Sequence, residues 1–163
     1  MPRLFYAALI AACLSAPALA QQADIRFGGL KQDTSLPVEV DADNLSVDQG
    51  AGTAIFSGNV LVKQGEMRMT AAQVRVEYND EGSAIEKMHA SGGVTLVSPT
   101  DAAEAQDAVY TIDSGNVVMT GNVLLTQGNS AISGEKLTVN LKDGTGTMTG
   151  RVKSIFTPKA KNP

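Results

Sequence analysis

One cysteine, one histidine and no tryptophan occur in 163 residues, and each scarcity removes a class of chemistry. A single cysteine, Cys13, gives the chain no internal disulfide and no thiol pair. His89 has no second imidazole to accompany it, and metal sites built on histidine need companion ligands at defined spacing. Its place is therefore structural or solvated. Asp41 and Asp43 alternate with Val40 and Ala42, which puts both carboxylates on an outward strand face, although catalytic carboxylate pairs are also set this way. No Gly-x-Ser-x-Gly elbow and no glycine loop opening a helix are present. Basic residues number 13 against 17 acidic ones, a balance that argues against nucleic acid, whose binding is driven by phosphate neutralisation. The residues offer no constellation for turnover, and the chain reads as a non-enzyme without metal or cofactor.

Residues 1–20 have the form of an export signal: Arg3, an apolar or small stretch from Leu4 to Leu14, and Ala18-Leu19-Ala20 before Gln21. Pro17 interrupts the stretch too early for a stable membrane span. An alternative takes Ile10-Ala11-Ala12-Cys13 as a lipoprotein box with Cys13 lipidated. Cleavage after Ala20 leaves 143 residues without cysteine, enough for one domain with its own core. A cysteine-free, mildly acidic, exported chain fits a bacterial periplasm.

What the chain does have is repetition. Ser57-Gly58-Asn59-Val60, Ser91-Gly92-Gly93-Val94, Thr120-Gly121-Asn122-Val123 and Thr149-Gly150-Arg151-Val152 share one pattern at spacings of 34, 29 and 29. Interleaved with it, a small residue leads period-two apolar positions at Ala42, Ala71, Ala105 and Gly134, spaced 29, 34 and 29. One insertion near Asn79-Asp80-Glu81-Gly82-Ser83 accounts for both longer intervals. Repeats of this size leave an apolar face that only their neighbours can cover, so function belongs to the continuous face they build together.

Alternation in Val38 to Ala42, Met67 to Met69, Val74 to Tyr78 and Leu137 to Leu141 predicts strands throughout, separated by turn signals such as Asp113-Ser114-Gly115-Asn116. Only Thr100 to Ala108 leaves room for a helical turn. A 29-residue unit stretched as one strand would reach roughly 95 Å, so two facing sheets of short strands are expected. The recurring glycine marks a bulge or bend, or else an ordinary tight turn. Residues 21–36 and 157–163 lack the pattern and are expected to be flexible, leaving a domain at 37–156. Such a sheet has two open edges, one at Val38 and Val40 and one in the last unit at Thr147, Thr149 and Val152, suited to strand addition in open head-to-tail series.

Five aromatics, Phe27, Phe56, Tyr78, Tyr110 and Phe156, remain after cleavage, so the lining is aliphatic. That disfavours sugar stacking and suits alkyl chains. The same residues also fill an ordinary β core, which composition alone favours.

Three segments carry a resemblance: Val38-Glu39-Val40-Asp41-Ala42-Asp43-Asn44-Leu45, Ala54-Ile55-Phe56-Ser57-Gly58-Asn59-Val60-Leu61-Val62-Lys63-Gln64-Gly65 and Met69-Thr70-Ala71-Ala72-Gln73-Val74. Thr120-Gly121-Asn122-Val123-Leu124-Leu125-Thr126-Gln127-Gly128 repeats the second. Together, over about residues 37–152, they resemble the OstA-like family of lipopolysaccharide-transport proteins, with a departure at Ala72, where the family more often has aspartate. The resemblance implies an all-β, rolled, V-shaped antiparallel β-jellyroll of about four repeats, open at both ends. It implies lipid A acyl chains held in the interior, with contacts at Thr34, Val38, Val40, Leu96, Tyr110 and Ile112. It also implies a periplasmic bridge stacked end to end between inner-membrane and outer-membrane components of similar fold. A chain of this length has no room for a membrane barrel, and a cleavable signal points to the soluble bridge. The rivals are a secreted structural or adhesive β-solenoid with a filled core and a carbohydrate-active β-solenoid enzyme, which would need a charged cluster in one groove.

Overall fold

The computed structural model describes residues 29–156 and the backbone of 23–26. The expected signal peptide 1–20, Cys13 and the tail 157–163 lie outside them. Among the described residues, eleven strands form one antiparallel sheet. They are β1 (Ala23–Arg26), β2 (Glu39–Asp41), β3 (Asn44–Asp48), β4 (Thr53–Gln64), β5 (Met67–Tyr78), β6 (Ile85–Val97), β7 (Asp101–Thr111), β8 (Asn116–Gln127), β9 (Ser130–Asn140), β10 (Thr145–Thr149) and β11 (Lys153–Phe156). The order is β1-β10-β9-β8-β7-β6-β5-β4-β2, with β3 also on β4 and β11 also on β9.

The strands β4 to β9 run 11 to 13 residues, longer than the expected short strands, because each is bent once instead of being broken. Pairing skips from Ser57 to Val60, from Ser91 to Val94 and from Thr120 to Val123, which places a bulge on every Ser/Thr-Gly element of the long strands. Gly58, Gly92, Gly121 and Gly150 all have φ near +80°, a left-handed conformation that glycine adopts without strain. The next residue is left-handed as well: Asn59 at 47°, Gly93 at 87°, Asn122 at 50° and Arg151 at 46°. Asparagine and glycine tolerate that region; arginine does so at a cost.

The two interleaved sequence elements are one device. A Cβ on Gly121 would lie 2.8 Å from Gln106 Cβ, and one on Gly92 would lie 2.7 Å from Ala72 Cβ. In each unit the residue after the small one covers the glycine of the adjacent strand. Asn59 Nδ2 donates to Asp43 Oδ2 at 2.8 Å, and Arg151 Nε meets Glu135 Oε1 at 3.2 Å, so side chains clasp the first and last bends. Bending every strand at the same level divides the sheet into two halves that fold toward each other as a V.

Inside the V, alternation carries Val62, Leu96 and Leu125 from one half and Val76, Met88, Met119 and Leu137 from the other into one apolar cluster, all fully buried. After the bend at Thr100, the segment from Asp101 to Ala108 is strand, not helix. Its alanines at 103, 105 and 108 are buried, and their uneven spacing coincides with the register shift between Glu104 and Asp107, opposite the bulges of β6 and β8. The five-residue insertion is the turn between β5 and β6, held by Asn79 Oδ1 accepting from the Ser83 amide at 2.9 Å. It enlarges a turn and shifts the register of β5 on β6 locally between Glu77 and Tyr78, leaving the strand order unchanged.

Two expectations change at the ends. Residues 29–36, expected to be a flexible leader, pack along the open side of the V: Leu30 is 2% exposed, and the Gln32 amide donates to Leu141 O at 2.7 Å. The edge at Thr145 to Met148, expected to be open, is covered by β1, which pairs Asp24 with Thr147. A strand from the segment without the repeat supplies the missing neighbour. The described strands with one unpaired side are thus β2 and β3 at one end and β11 at the other, beside β1.

Gly121→Ala should lower unfolding free energy by about 1–3 kcal/mol, from left-handed strain and the clash with Gln106, whereas Arg151→Asn should hold or raise it. Urea denaturation of both variants checks this; an unperturbed Gly121→Ala protein would contradict the bend's origin.

Candidate functional site

Among the described residues the bent sheet builds a long concave interior, and the geometry of that interior decides what it can hold. Leu96 and Tyr110, both expected contacts, lie within it and are fully buried. Val38, Val40 and Ile112 are partly buried against the same cluster. Thr34 is also half-buried, on the segment that lines the open side. The six carried-over positions therefore share one interior and its margin.

Gln64 joins several of them. Tyr110 Oη donates to Gln64 Oε1 at 2.7 Å, crossing from one half of the V to the other. Gln64 Nε2 donates to Thr34 O at 3.0 Å and to Leu36 O at 2.9 Å. A carboxamide only 1% exposed would cost several kcal/mol if left unpaired; here its oxygen and nitrogen are both engaged. Burial pushes the Tyr110 hydroxyl up to about 12. The interior thus carries one neutral polar latch in an aliphatic surround.

Gln64 was not among the residues expected to line the interior. Its signal was available: Val60, Val62 and Gln64 occupy successive inward positions of β4, so an amide stands where the pattern calls for an aliphatic residue. Leu30 was missed for a different reason, since it lies outside every repeat.

Toward the β2–β3 end the apolar row continues but is no longer covered. Leu45 and Val47, opposite Phe56 and Ala54, are 58% and 59% exposed. A hollow of about 320 Å³ lined by Val47, Gly52, Thr53 and Tyr78 opens beside them. At the opposite end Phe156 is 70% exposed. At the β2–β3 end apolar surface therefore runs from a closed centre to an uncovered mouth.

The polar candidates separate from this interior. His89 Nε2 lies 3.3 Å from Glu77 Oε1 without hydrogen-bond geometry, in company with Arg75, 3.6 Å from the same oxygen. Asp41 pairs with Lys63 at 2.8 Å, and Asp43 clasps the first bend. Of the proposed interface residues, Thr147 lies beneath β1, Thr149 ends β10, and Val152 is partly buried at the final bend. Among the described residues, no group of three or more acidic, histidine or cysteine side chains is placed to hold a metal. Nor is any helix there long and apolar enough to cross a membrane.

Residues 39–145 match the family described as LptA/(LptD N-terminal domain) LPS transport protein. The Escherichia coli (strain K12) lipopolysaccharide export system protein LptA is 30% identical over 68% of this chain and 63% of its own length. An uncharacterized protein of Rhizobium meliloti (strain 1021) is 27% identical over 97% of this chain and 91% of its own. The crystal structure of Pseudomonas aeruginosa LptH, titled as the LptA-homologous periplasmic component of a lipopolysaccharide transport device, superposes with a TM-score of 0.70 at 19% identity. It covers 78% of this chain and 99% of that one.

The Tyr110 shift sets a pH dependence. Because the folded-state value lies above the ordinary 10.0, the native chain holds its proton where the unfolded chain has lost it. This contribution to stability is intact below pH 10 and falls as pH rises toward about 12. Denaturation at stepped pH should show that decline in the native protein and lose its Tyr110 component in Tyr110→Phe.

Proposed function

The chain belongs to the LptA/(LptD N-terminal domain) family of lipopolysaccharide-transport proteins, and from that premise we propose that its interior carries the acyl chains of lipid A through the periplasm. The observation that carries this reading is the apolar row that leaves the buried centre and continues uncovered through Leu45 and Val47. Each methylene removed from water is worth about 0.8 kcal/mol, so a lipid with several long chains needs cover throughout its passage. Aliphatic side chains in series provide similar contacts at successive positions, which lets a chain slide. The lipid's polar head stays outside the V. Thr34, Val38, Val40, Leu96, Tyr110 and Ile112 supply contacts along this path.

Bridging follows from the ends of the sheet. The unpaired sides of β2 and β3 offer main-chain donors and acceptors to a strand of another molecule. At the other end β11 is available, while β10 becomes available when β1 leaves it. Joining unlike ends through Val38 and Val40 on one molecule and Thr147, Thr149 and Val152 on the next is heterologous and propagates. It would align successive grooves between inner-membrane and outer-membrane components of similar fold.

A second reading has its own support: Leu96 and its neighbours are fully buried, as in a solid-core structural solenoid. Lipid uptake separates the two, since a filled solenoid would bind neither lipopolysaccharide nor a fatty-acyl probe.

Photocrosslinking from position 40 in cells should capture lipopolysaccharide. Val38→Asp and Val40→Asp should impair export at least tenfold with folding retained, because a carboxylate set against acyl chains goes unpaired, whereas Val76→Asp should disrupt the fold itself. Normal export by both folded variants would overturn the proposed contacts.

A further inference from the structure

The fully buried centre raises a question of access, because an acyl chain cannot reach Leu96 or Tyr110 unless something that now covers them moves. The long strands are poor candidates. Each of β4 to β9 is held on both sides by antiparallel ladders of backbone hydrogen bonds, and a bulge shared with its neighbour pins its register.

Residues 29–36 are different. They lie across the open side of the V, touching the turns at the ends of both halves. A Cβ on Gly29 would meet Thr100 Oγ1 and Asp101 Oδ2, while one on Gly65 would lie 3.0 Å from Leu36 Cδ1. Few bonds hold the segment to the sheet: Gln32 N to Leu141 O, and Gln64 Nε2 to Thr34 O and Leu36 O. The bonds of Ser35 to Asp33 Oδ1 are internal to the segment and would travel with it. Its one deep anchor is Leu30, a branched alkyl group inserted into the same cluster that would receive a lipid chain. The closed arrangement also leaves Gln32 Nε2 buried without an acceptor, a cost that opening would relieve.

We propose that residues 29–36 are a displaceable strap, with Leu30 holding the place of an acyl chain and Gln64 acting as the latch. The inference rests on the lipid-carrying reading and adds a gate to it. In the empty protein the strap keeps apolar surface from water; an incoming chain displaces Leu30 and takes over its contacts. The exchange is close to neutral because alkyl replaces alkyl, so the groove opens without exposing its lining. Gln64 biases the balance toward closure through the two carbonyls it holds, and Tyr110 keeps the carboxamide aimed at them.

The test locks the strap. In a Cys13→Ser background, Gly29→Cys with Thr100→Cys brings two thiols together across the closed side. Oxidised protein should take up cis-parinaric acid and lipopolysaccharide at least tenfold more slowly than the same protein after reduction. Gln64→Ala, which folds or fails to fold independently of that disulfide, should speed uptake of the same probes. Amide exchange across residues 30–36 should rise when cis-parinaric acid saturates the reduced protein. Equal uptake by locked and reduced protein, or strap amides that stay as protected with probe bound, would overturn the strap while leaving lipid carriage intact. If native protein took up neither probe, the lipid-carrying reading itself would fall, and the gate with it.

Discussion

Every higher feature of this molecule depends on a backbone bend that two adjacent strands enforce on each other. At the bend, one strand turns left-handed through glycine while the residue after the small position on its neighbour fills the space a Cβ would need, as Gln106 does over Gly121. Neither half of the device works alone: glycine without the covering side chain is a loose hinge, and the covering side chain without glycine is a clash. Repeated at one level across the sheet, the device folds one continuous sheet onto itself. It builds a two-sided interior while the backbone ladders stay unbroken on either side of each bend.

That construction explains the distribution of polarity. The alternation of β5 runs Met67, Met69, Ala71 and resumes at Val74 and Val76, opposite the bulges that β4 and β6 carry, and apolar side chains stay inward on both arms. Without the shift in phase, one arm would face its polar residues inward. The first and last bends carry Asp43 with Asn59 and Glu135 with Arg151, polar clasps at the levels nearest the open ends. Unit two has Ala72 and Gly93 at the corresponding places and therefore no clasp.

The interior is not uniformly apolar, and its exception is organised. Gln64 accepts from Tyr110 and donates to Thr34 and Leu36, tying both arms of the V to the segment that lies between their ends. A polar network of this kind holds position by direction, which aliphatic packing does not supply. The chain preceding β2 serves two surfaces at once, since β1 occupies the side of β10 and residues 29–36 occupy the open side of the groove. Concave face and strand edge are thereby both covered by the same stretch of chain.

The period, the strand alternation, the positions of the glycine element and the site of the insertion were legible in the sequence because they are local, whereas the choice between bend and tight turn at each glycine was not: conformational preference and side-chain periodicity are written residue by residue. The family was legible for the same reason, through hairpin segments such as Phe56 to Gly65. What tertiary structure alone decided was what residues without a pattern do. Leu30, β1 and the partners of Gln64 are fixed by contacts between residues tens of positions apart, such as Tyr110 with Gln64 and Asp24 with Thr147. No spacing within one strand encodes such a meeting. It depends on where the V brings distant strands together, and on an unpaired strand side and an apolar opening that only the folded sheet creates.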